Sequence, residues 1–463
     1  MIDETRLTVL LRSLTAACLL WIIPAVAAGQ SDRGTLVSTL DSVARAWVQN
    51  EMVPGVAVAV VKDGVTLLER GYGYVDLEWM IPTPANASFE IGSVTKQFTS
   101  ASVMLLVEED KLDLDADFTQ YIDFDTQGRT IPLRRLLDHT SGIKGYTEMP
   151  QAFGELTPRK LPRDTLVRLL ENEPVHFEPG TAHIYNNSGY FLLGLIIEAV
   201  SEMSYEEFVA QRIFEPLGMN DSYYCSESAV RANRAHGYDA AGPGQLIRAA
   251  YLDHTWPYAA GSLCSTVGDL VRWNQALHGG ELLSAESYEK MITPMPLEDG
   301  WPMTYAMGLV ISMRGDTRQI AHNGGINGFV SSGMYFPEER LIVVGVQNST
   351  GANVGALTSA LVQAVLGPVE PPEPVSETYS GSLDDFVGEY TGAARGPDIT
   401  VSISVEDGGL AVSVRGGTAA KADYQGGLTW KRGTSEMTFT REGGRIVGVT
   451  FLGGGILRLK KVS

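Results

Sequence analysis

The spacing of apolar and polar positions changes repeatedly along this chain, and each change predicts an element. Residues 34–50 alternate at helical spacing and predict an amphipathic helix. "VPGVAVAVVKDG" and "VTLLERGYGYVD" follow as two β-rich runs around Asp63-Gly64, a hairpin signal. Helical patterns dominate from Ser93 to about Leu277, including "GYFLLGLIIEAVSEMS" and "TVGDLVRWNQALHGG". β character returns in "YAMGLVISM", "RQIAHNG", "FVSSGMYFPEE" and "LIVVGVQNS", and "GALTSALVQAVLG" predicts a last helix at 355–367. Strands at both ends of a helical block predict one sheet completed by distant parts of the chain, its faces covered by helices.

The pattern then breaks. Residues 368–384, "PVEPPEPVSETYSGSLD", hold four prolines and few apolar positions, which predicts a linker. Beyond it, residues 385–463 alternate apolar and polar with Gly-rich turns, as in "ITVSISVEDGGLAVSVRGG". That predicts a separate antiparallel β-domain. A length of 463 residues suits more than one domain, and no internal repeat is visible.

Composition narrows the function classes. With 44% hydrophobic and 19% charged residues the chain reads as globular. A net charge of −20 repels phosphate backbones and argues against a nucleic-acid partner. At the start, Arg6 and Arg12 precede "SLTAACLLWIIPAVAAGQ", an apolar run ending in small residues. Residues 1–28 are therefore expected to be a cleaved export signal, with Cys18 part of it, giving a periplasmic or secreted product. The run is shorter than the ~20 residues of a spanning helix, so no membrane span is expected after cleavage, and residues 29–367 form the larger domain. Cys225 and Cys264 then remain, either as a disulfide or as two small buried residues. Neither has metal-ligand spacing, and no metal or cofactor is expected.

Candidate chemistry begins with "SVTK". Ser93 and Lys96 share a helical face at i and i+3, at the start of a long apolar helix. A lysine there is a poor core residue without a partner. Its burial, with the helix terminus, would lower its pKa and make it a base toward the serine hydroxyl. S-x-x-K alone is weak, since it recurs at Ser141–Lys144 and Ser287–Lys290. Tyr185-Asn186-Asn187 is the only Y-x-N. A tyrosine relays protons where lysines stabilise its phenolate, and the Asn187 amide orients neighbours. Asn-Asn-Ser-Gly is equally good turn chemistry. His322-Asn323-Gly324-Gly325 lies between two predicted strands, where glycines permit close approach to a ligand. A backbone N–H there, with that of Ser93, would form an oxyanion hole. His278-Gly279-Gly280 has the same form but ends a helix.

In that order, with "FEIGSVTKQFT", "IPLRRLLDHTSGI", "FEPGTAHIYNNSGYFLLGLIIE", "FEPLGM", "AAGSLCSTVGDLVRW" and "HNGGINGF", the chain resembles the serine β-lactamase and penicillin-binding-protein superfamily. The likeness covers about residues 35–365 and points to the class-C-like branch of esterases and D-aminopeptidases. It implies an α/β (α+β) fold with an antiparallel sheet flanked by helices and an all-helical subdomain. The C-terminal domain is similar to the barrel-like or lipocalin-like appendages of some members. The implied chemistry is an acyl-enzyme on Ser93, with Lys96 and Tyr185 moving protons. Asn187, His322 and Gly324 would contact or orient substrate, and the N–H groups of Ser93 and Gly325 would hold the oxyanion.

One departure bears on substrate. The family's lactamases and D,D-peptidases carry lysine where this chain has His322, largely neutral above pH ~7. That favours an ester or an amide of peptide or D-amino-acid type over efficient lactam hydrolysis. A class C β-lactamase or D,D-peptidase is the second expectation, and a non-catalytic envelope-binding protein on the same scaffold is the third. The partner is a small-molecule or peptide substrate. Asp113, Asp115 and Asp117 imitate a calcium loop without its glycine and closing glutamate, so they read as a polar loop. His139 reads as architectural.

Overall fold

Val56, Val58 and Val60 on one side of a strand, and Ala57, Ala59 and Val61 on the other, are all buried. That two-sided burial puts Gly55–Lys62 (β1) in the middle of a covered sheet. The computed structural model describes residues 23–50, 53–149, 156–226, 228–242, 244–370 and 378–462. Arg6, Arg12, Cys18 and most of the expected signal lie outside these, as do residues 371–377 of the expected linker. The first described element, Ile23–Asn50 (α1), is helical from well before the expected start at residue 34.

β1 turns into Val65–Asp76 (β2) through Asp63 and Gly64, both at positive φ (54° and 76°), the backbone of a two-residue hairpin turn. Further strands are Ile81–Pro82 (β3), His183–Ile184 (β4), Val310–Arg314 (β5), Thr317–Ile326 (β6), Phe329–Phe336 (β7) and Leu341–Gln347 (β8). The main sheet runs β5-β6-β7-β8-β1-β2-β3. Val56 pairs with Gln347 and Lys62 with Leu341, so the two ends of the larger domain meet at its centre, antiparallel. α1 and the helix Val354–Leu366 (α5) cover one face through Leu40, Ala44, Leu357 and Leu361. The helical block covers the other, and its core includes Ala57 and Ala59 of the sheet.

Within that block the helix Thr95–Glu108 (α2) is buried almost throughout. Its apolar side stacks Phe98 on Trp273, ring centroids 4.0 Å apart, from the helix Val267–Gly279 (α4). Its polar side chains find partners inside, as burial demands. Trp273 Nε1 donates to Gln97 (2.7 Å), Thr99 Oγ1 donates to the Ala259 carbonyl (2.6 Å), and Leu263 N donates to Thr95 Oγ1 (3.2 Å). These bonds pin the segment around residues 259–263 against the start of α2. A small sheet does the same from outside, pairing Phe89–Glu90 with Leu263–Ser265 and that strand with Tyr223–Tyr224. Cys225 and Cys264 are bridged beside it, Cα atoms 5.3 Å apart.

The C-terminal strands, Gly388–Gly392 through Gly455–Lys461, form one strongly curled antiparallel sheet. Ile399, Val401 and Ile403 alternate inward onto Tyr390, Trp430 and Phe439, and Tyr379 of the expected linker packs on the same core. This barrel-like sheet is joined to the larger domain by backbone. β4 pairs with its last strand, Ile184 opposite Gly455 and His183 opposite Ile456. Among the described residues no helix is long and apolar enough to cross a membrane.

Candidate active site

Ser93 sits in the middle of a 3₁₀ turn, Gly92–Val94, that feeds directly into α2 and makes no side-chain cap. The turn lies flat on β6 because two glycines allow it. Gly92 has φ +50°, and a Cβ there would stand 2.8 Å from Gly325 N. A Cβ on Gly324 would stand 2.0 Å from the Ile91 carbonyl oxygen. That carbonyl accepts a hydrogen bond from Ser331 Oγ (2.7 Å), while Ile91 N donates to the Leu263 carbonyl (2.9 Å). β5 pairs with β6 only as far as Ala321. Residues 322–326 therefore offer an edge free of β5 beside the serine, and the main chain of Gly325 runs against Gly92.

Lys96 is fully buried one turn into α2. Nζ lies 3.2 Å from Ser93 Oγ and donates to Asn187 Oδ1 and the Ala260 carbonyl, each at 2.8 Å. Burial drives its pKa well below the usual lysine value, and the Arg395 charge pushes the same way against Glu148. With two N–H groups on Asn187 and Ala260, the neutral form of the amine would turn its lone pair toward the serine hydroxyl.

Tyr185 follows β4. Burial raises its phenol above the ordinary value, with a hydrogen bond to Ser93 working against that, so the neutral phenol is the stable form. The two neighbouring asparagines divide their labour. Asn186 Oδ1 accepts from Gly189 N (3.0 Å) and closes the turn into the helix Ser188–Ser201 (α3). Asn187 is left to hold Lys96, and its Nδ2 donates to Thr147 Oγ1 (3.1 Å).

Two histidines border the tyrosine. His139, at φ +62°, packs its ring centre 4.2 Å from that of Tyr185, tilted at 48°, and accepts from Asn186 N (3.4 Å). Its contacts are with the tyrosine ring and the backbone beside it. His322 lines the cavity on β6, buried, with both ring nitrogens engaged. Nδ1 donates to the Asn323 carbonyl (2.6 Å), so Nε2 accepts from Tyr305 (3.0 Å). Burial above all pushes its pKa down to about 3, so it is neutral.

Ser93 opens onto two cavities. One of about 1110 Å³ is lined by Tyr185, Asn187, His322 and Gly324. Another of about 240 Å³ is lined by Asn187, Glu148, Trp256 and Ala260. Gly325 and Arg395 line both. The barrel is thus part of the wall, through Arg395 and through Gly453–Gly455 around its last turn. Sequence reasoning missed Thr147, Glu148, Arg395 and Tyr305. The first three form one line: Arg395 Nε donates to Glu148 Oε1 (2.7 Å), Thr147 Oγ1 donates to the same oxygen (2.8 Å), and Thr147 leads through Asn187 to Lys96. The Arg395 guanidinium also lies 5.4 Å from the Tyr185 ring centre.

The competing strings do none of this. Lys144 pairs with Glu173 (2.6 Å) and Lys290 with Glu286 (2.7 Å) on its own helix, neither with its serine. His278 bonds Tyr288 (2.8 Å) where Gly280 stops α4 at φ +77°. In the aspartate loop, Asp113 accepts from Asp115 N and Asp117 caps a short turn.

Comparison with known proteins agrees with the geometry. The family profile described as Beta-lactamase matches residues 40–366. A D-aminopeptidase of Brucella melitensis is 27% identical over 412 residues, 88% of this chain and 76% of that protein. An octameric penicillin-binding protein homologue from Pyrococcus abyssi superposes with a TM-score of 0.64 at 25% identity, over 92% of this chain and 100% of the other. A D-amino acid amidase from Ochrobactrum anthropi SV3, complexed with L-phenylalanine amide, gives 0.61 at 25% identity, over 70% and 98%.

Proposed function

The chain belongs to the beta-lactamase family of serine hydrolases, and from that premise we propose that it cleaves an amide or ester of a D-amino acid through an acyl-enzyme on Ser93. The observation that carries this is Lys96, fully buried, with Nζ 3.2 Å from Ser93 Oγ, anchored on Asn187 Oδ1 and the Ala260 carbonyl, and its pKa driven well below the usual lysine value by burial. The relatives named for D-aminopeptidase and D-amino acid amidase activity support the acyl part.

Lys96 takes the Ser93 proton as Oγ attacks the substrate carbonyl carbon. The oxyanion is held by the N–H groups of Ser93 and Gly325, fixed by the close packing at Gly92 and Gly324. The bond to the leaving group then breaks, and the neutral Tyr185 gives that group its proton and recovers one from the Lys96 ammonium. The leaving group occupies the larger cavity, which Tyr185 lines, and the acyl group the smaller, which it does not. Water attacks the ester by the same steps in reverse and frees the acid. We place the enzyme outside the cytoplasm, a reading supported by the signal-like residues 1–28 and the Cys225–Cys264 bridge.

A panel of D-alanine p-nitroanilide, p-nitrophenyl acetate and nitrocefin tests the assignment. The D-amino-acid amide is expected to be turned over and Ser93→Ala to abolish it. Turnover of nitrocefin alone, or a Ser93→Ala protein with wild-type activity, contradicts it.

A further inference from the structure

The larger cavity carries a charge that the mechanism does not use. Its lining includes one permanent cation, Arg395, and no carboxylate among the described residues. Lys96 is fully buried outside this lining with Nζ committed to Ser93, Asn187 and Ala260, and His322 has both nitrogens engaged, so neither offers a free cationic donor to the leaving group. Arg395 comes from the other domain, on the turn between the barrel strands Gly388–Gly392 and Ile399–Glu406. Its Nε is anchored on Glu148 Oε1, and its two terminal nitrogens have no hydrogen-bond partner among the described residues. The side chain is 55% exposed. Glu148 lines the smaller cavity and not the larger, so it tethers the guanidinium without facing the leaving group. A guanidinium held by one edge presents the planar fork that suits a carboxylate.

We propose that Arg395 is a specificity-determining residue that selects substrates whose leaving group carries a carboxylate. The scissile bond then joins the acyl group to an amino acid or hydroxy acid rather than to ammonia or an uncharged alcohol. This rests on the acyl-enzyme reading and on its assignment of the larger cavity to the leaving group. It also gives the barrel a task in substrate choice, and it restores by another route the positive charge that His322 does not provide.

Two matched esters test it: 3-(D-alanyloxy)benzoate and its methyl ester, whose phenols leave with and without a carboxylate. Wild type is expected to favour the carboxylate in kcat/KM by about ten- to a hundred-fold, the range of a charge-assisted hydrogen bond. Arg395→Gln should bring that ratio to about one, and Arg395→Lys should keep part of it. Because the ratio compares two substrates on one protein, any loss of stability or of Lys96 orientation cancels. A wild-type ratio near one, or a ratio unchanged in Arg395→Gln, overturns the proposal. Should Arg395→Gln fail to fold, the wild-type and Arg395→Lys ratios still decide. Mass spectrometry separates the levels: Ser93 acylated by both esters without discrimination removes only the Arg395 assignment, whereas no Ser93 acylation removes the reading beneath it.

Discussion

Gly324→Ala isolates the fit between the nucleophile's turn and β6. A Cβ at this position would stand 2.0 Å from the Ile91 carbonyl oxygen and 2.3 Å from Ser331 Oγ, whereas real Cβ contacts do not fall under 3.0 Å. The hydroxyl can rotate away, at the loss of its bond to Ile91. The carbonyl cannot, so the strand or the turn must move by at least 3.0 − 2.0 = 1.0 Å. Gly324 is not at positive φ, so backbone strain does not confuse the result. The turn carries the Ser93 N–H and the strand that of Gly325. A displacement of that size costs about 100-fold in rate, comparable with removing one oxyanion donor. Overpacking adds about 1–3 kcal/mol of lost stability. Gly325→Ala is the structural control, since its Cβ meets no atom within 4 Å. Its melting temperature should stay close to wild type. Steady-state kinetics on a D-amino-acid ester and thermal melts of both variants are the assay. A Gly324→Ala protein within about three-fold of wild-type kcat/KM would refute the packing argument and the oxyanion assignment built on it.

Other predictions follow from the same contacts. Lys96 acts as a neutral base, so kcat/KM should rise with pH through its lowered pKa and be level well below 10.5. His322 is already neutral above about 3, so His322→Gln should leave that limb in place, and a limb that vanishes with it would assign the base wrongly. Thr147→Val removes the donor to Glu148 and the acceptor for Asn187. It should lower kcat about ten-fold with little change in KM, and Thr147→Ser should restore it; a Val variant with wild-type kcat contradicts the positioning role. Cys225 and Cys264 close a loop of sequence separation 39. Replacing both with Ser should cost up to about 4 kcal/mol by chain entropy, and an unchanged melting temperature would show the bridge is not formed in solution.

How much of this could be read in the sequence depends on whether local pattern or distant contact decides. β1 and β2 were legible because Asp63-Gly64 meets the turn's need for positive φ and the flanking runs are strongly apolar. S-x-x-K, Y-x-N and H-x-G were legible as types, and their order with the family resemblance joined them into a site that local pattern alone did not give. Only burial and a shared cavity separate Ser93–Lys96 from Ser141–Lys144, whose lysine turns outward to Glu173. His139 looked structural because its role depends on a left-handed backbone that brings its ring onto Tyr185, and no periodicity announces that. Arg395 was out of reach for a stronger reason. It lies in a Gly- and Ala-rich turn of a different domain, and its partner Glu148 is 247 positions away. The link between domains begins at β4, a two-residue strand too short to leave an alternating pattern.

The central claim is that Ser93 becomes covalently acylated during turnover. Rapid acid quench of the wild-type protein with a D-alanine p-nitrophenyl ester, followed by peptide mass spectrometry, measures it directly. The account predicts an alanyl mass increment confined to the peptide that carries Ser93, formed within the first turnover, lost as product appears, and absent from Ser93→Ala. An increment on another residue, or turnover by Ser93→Ala at the wild-type rate, would contradict it.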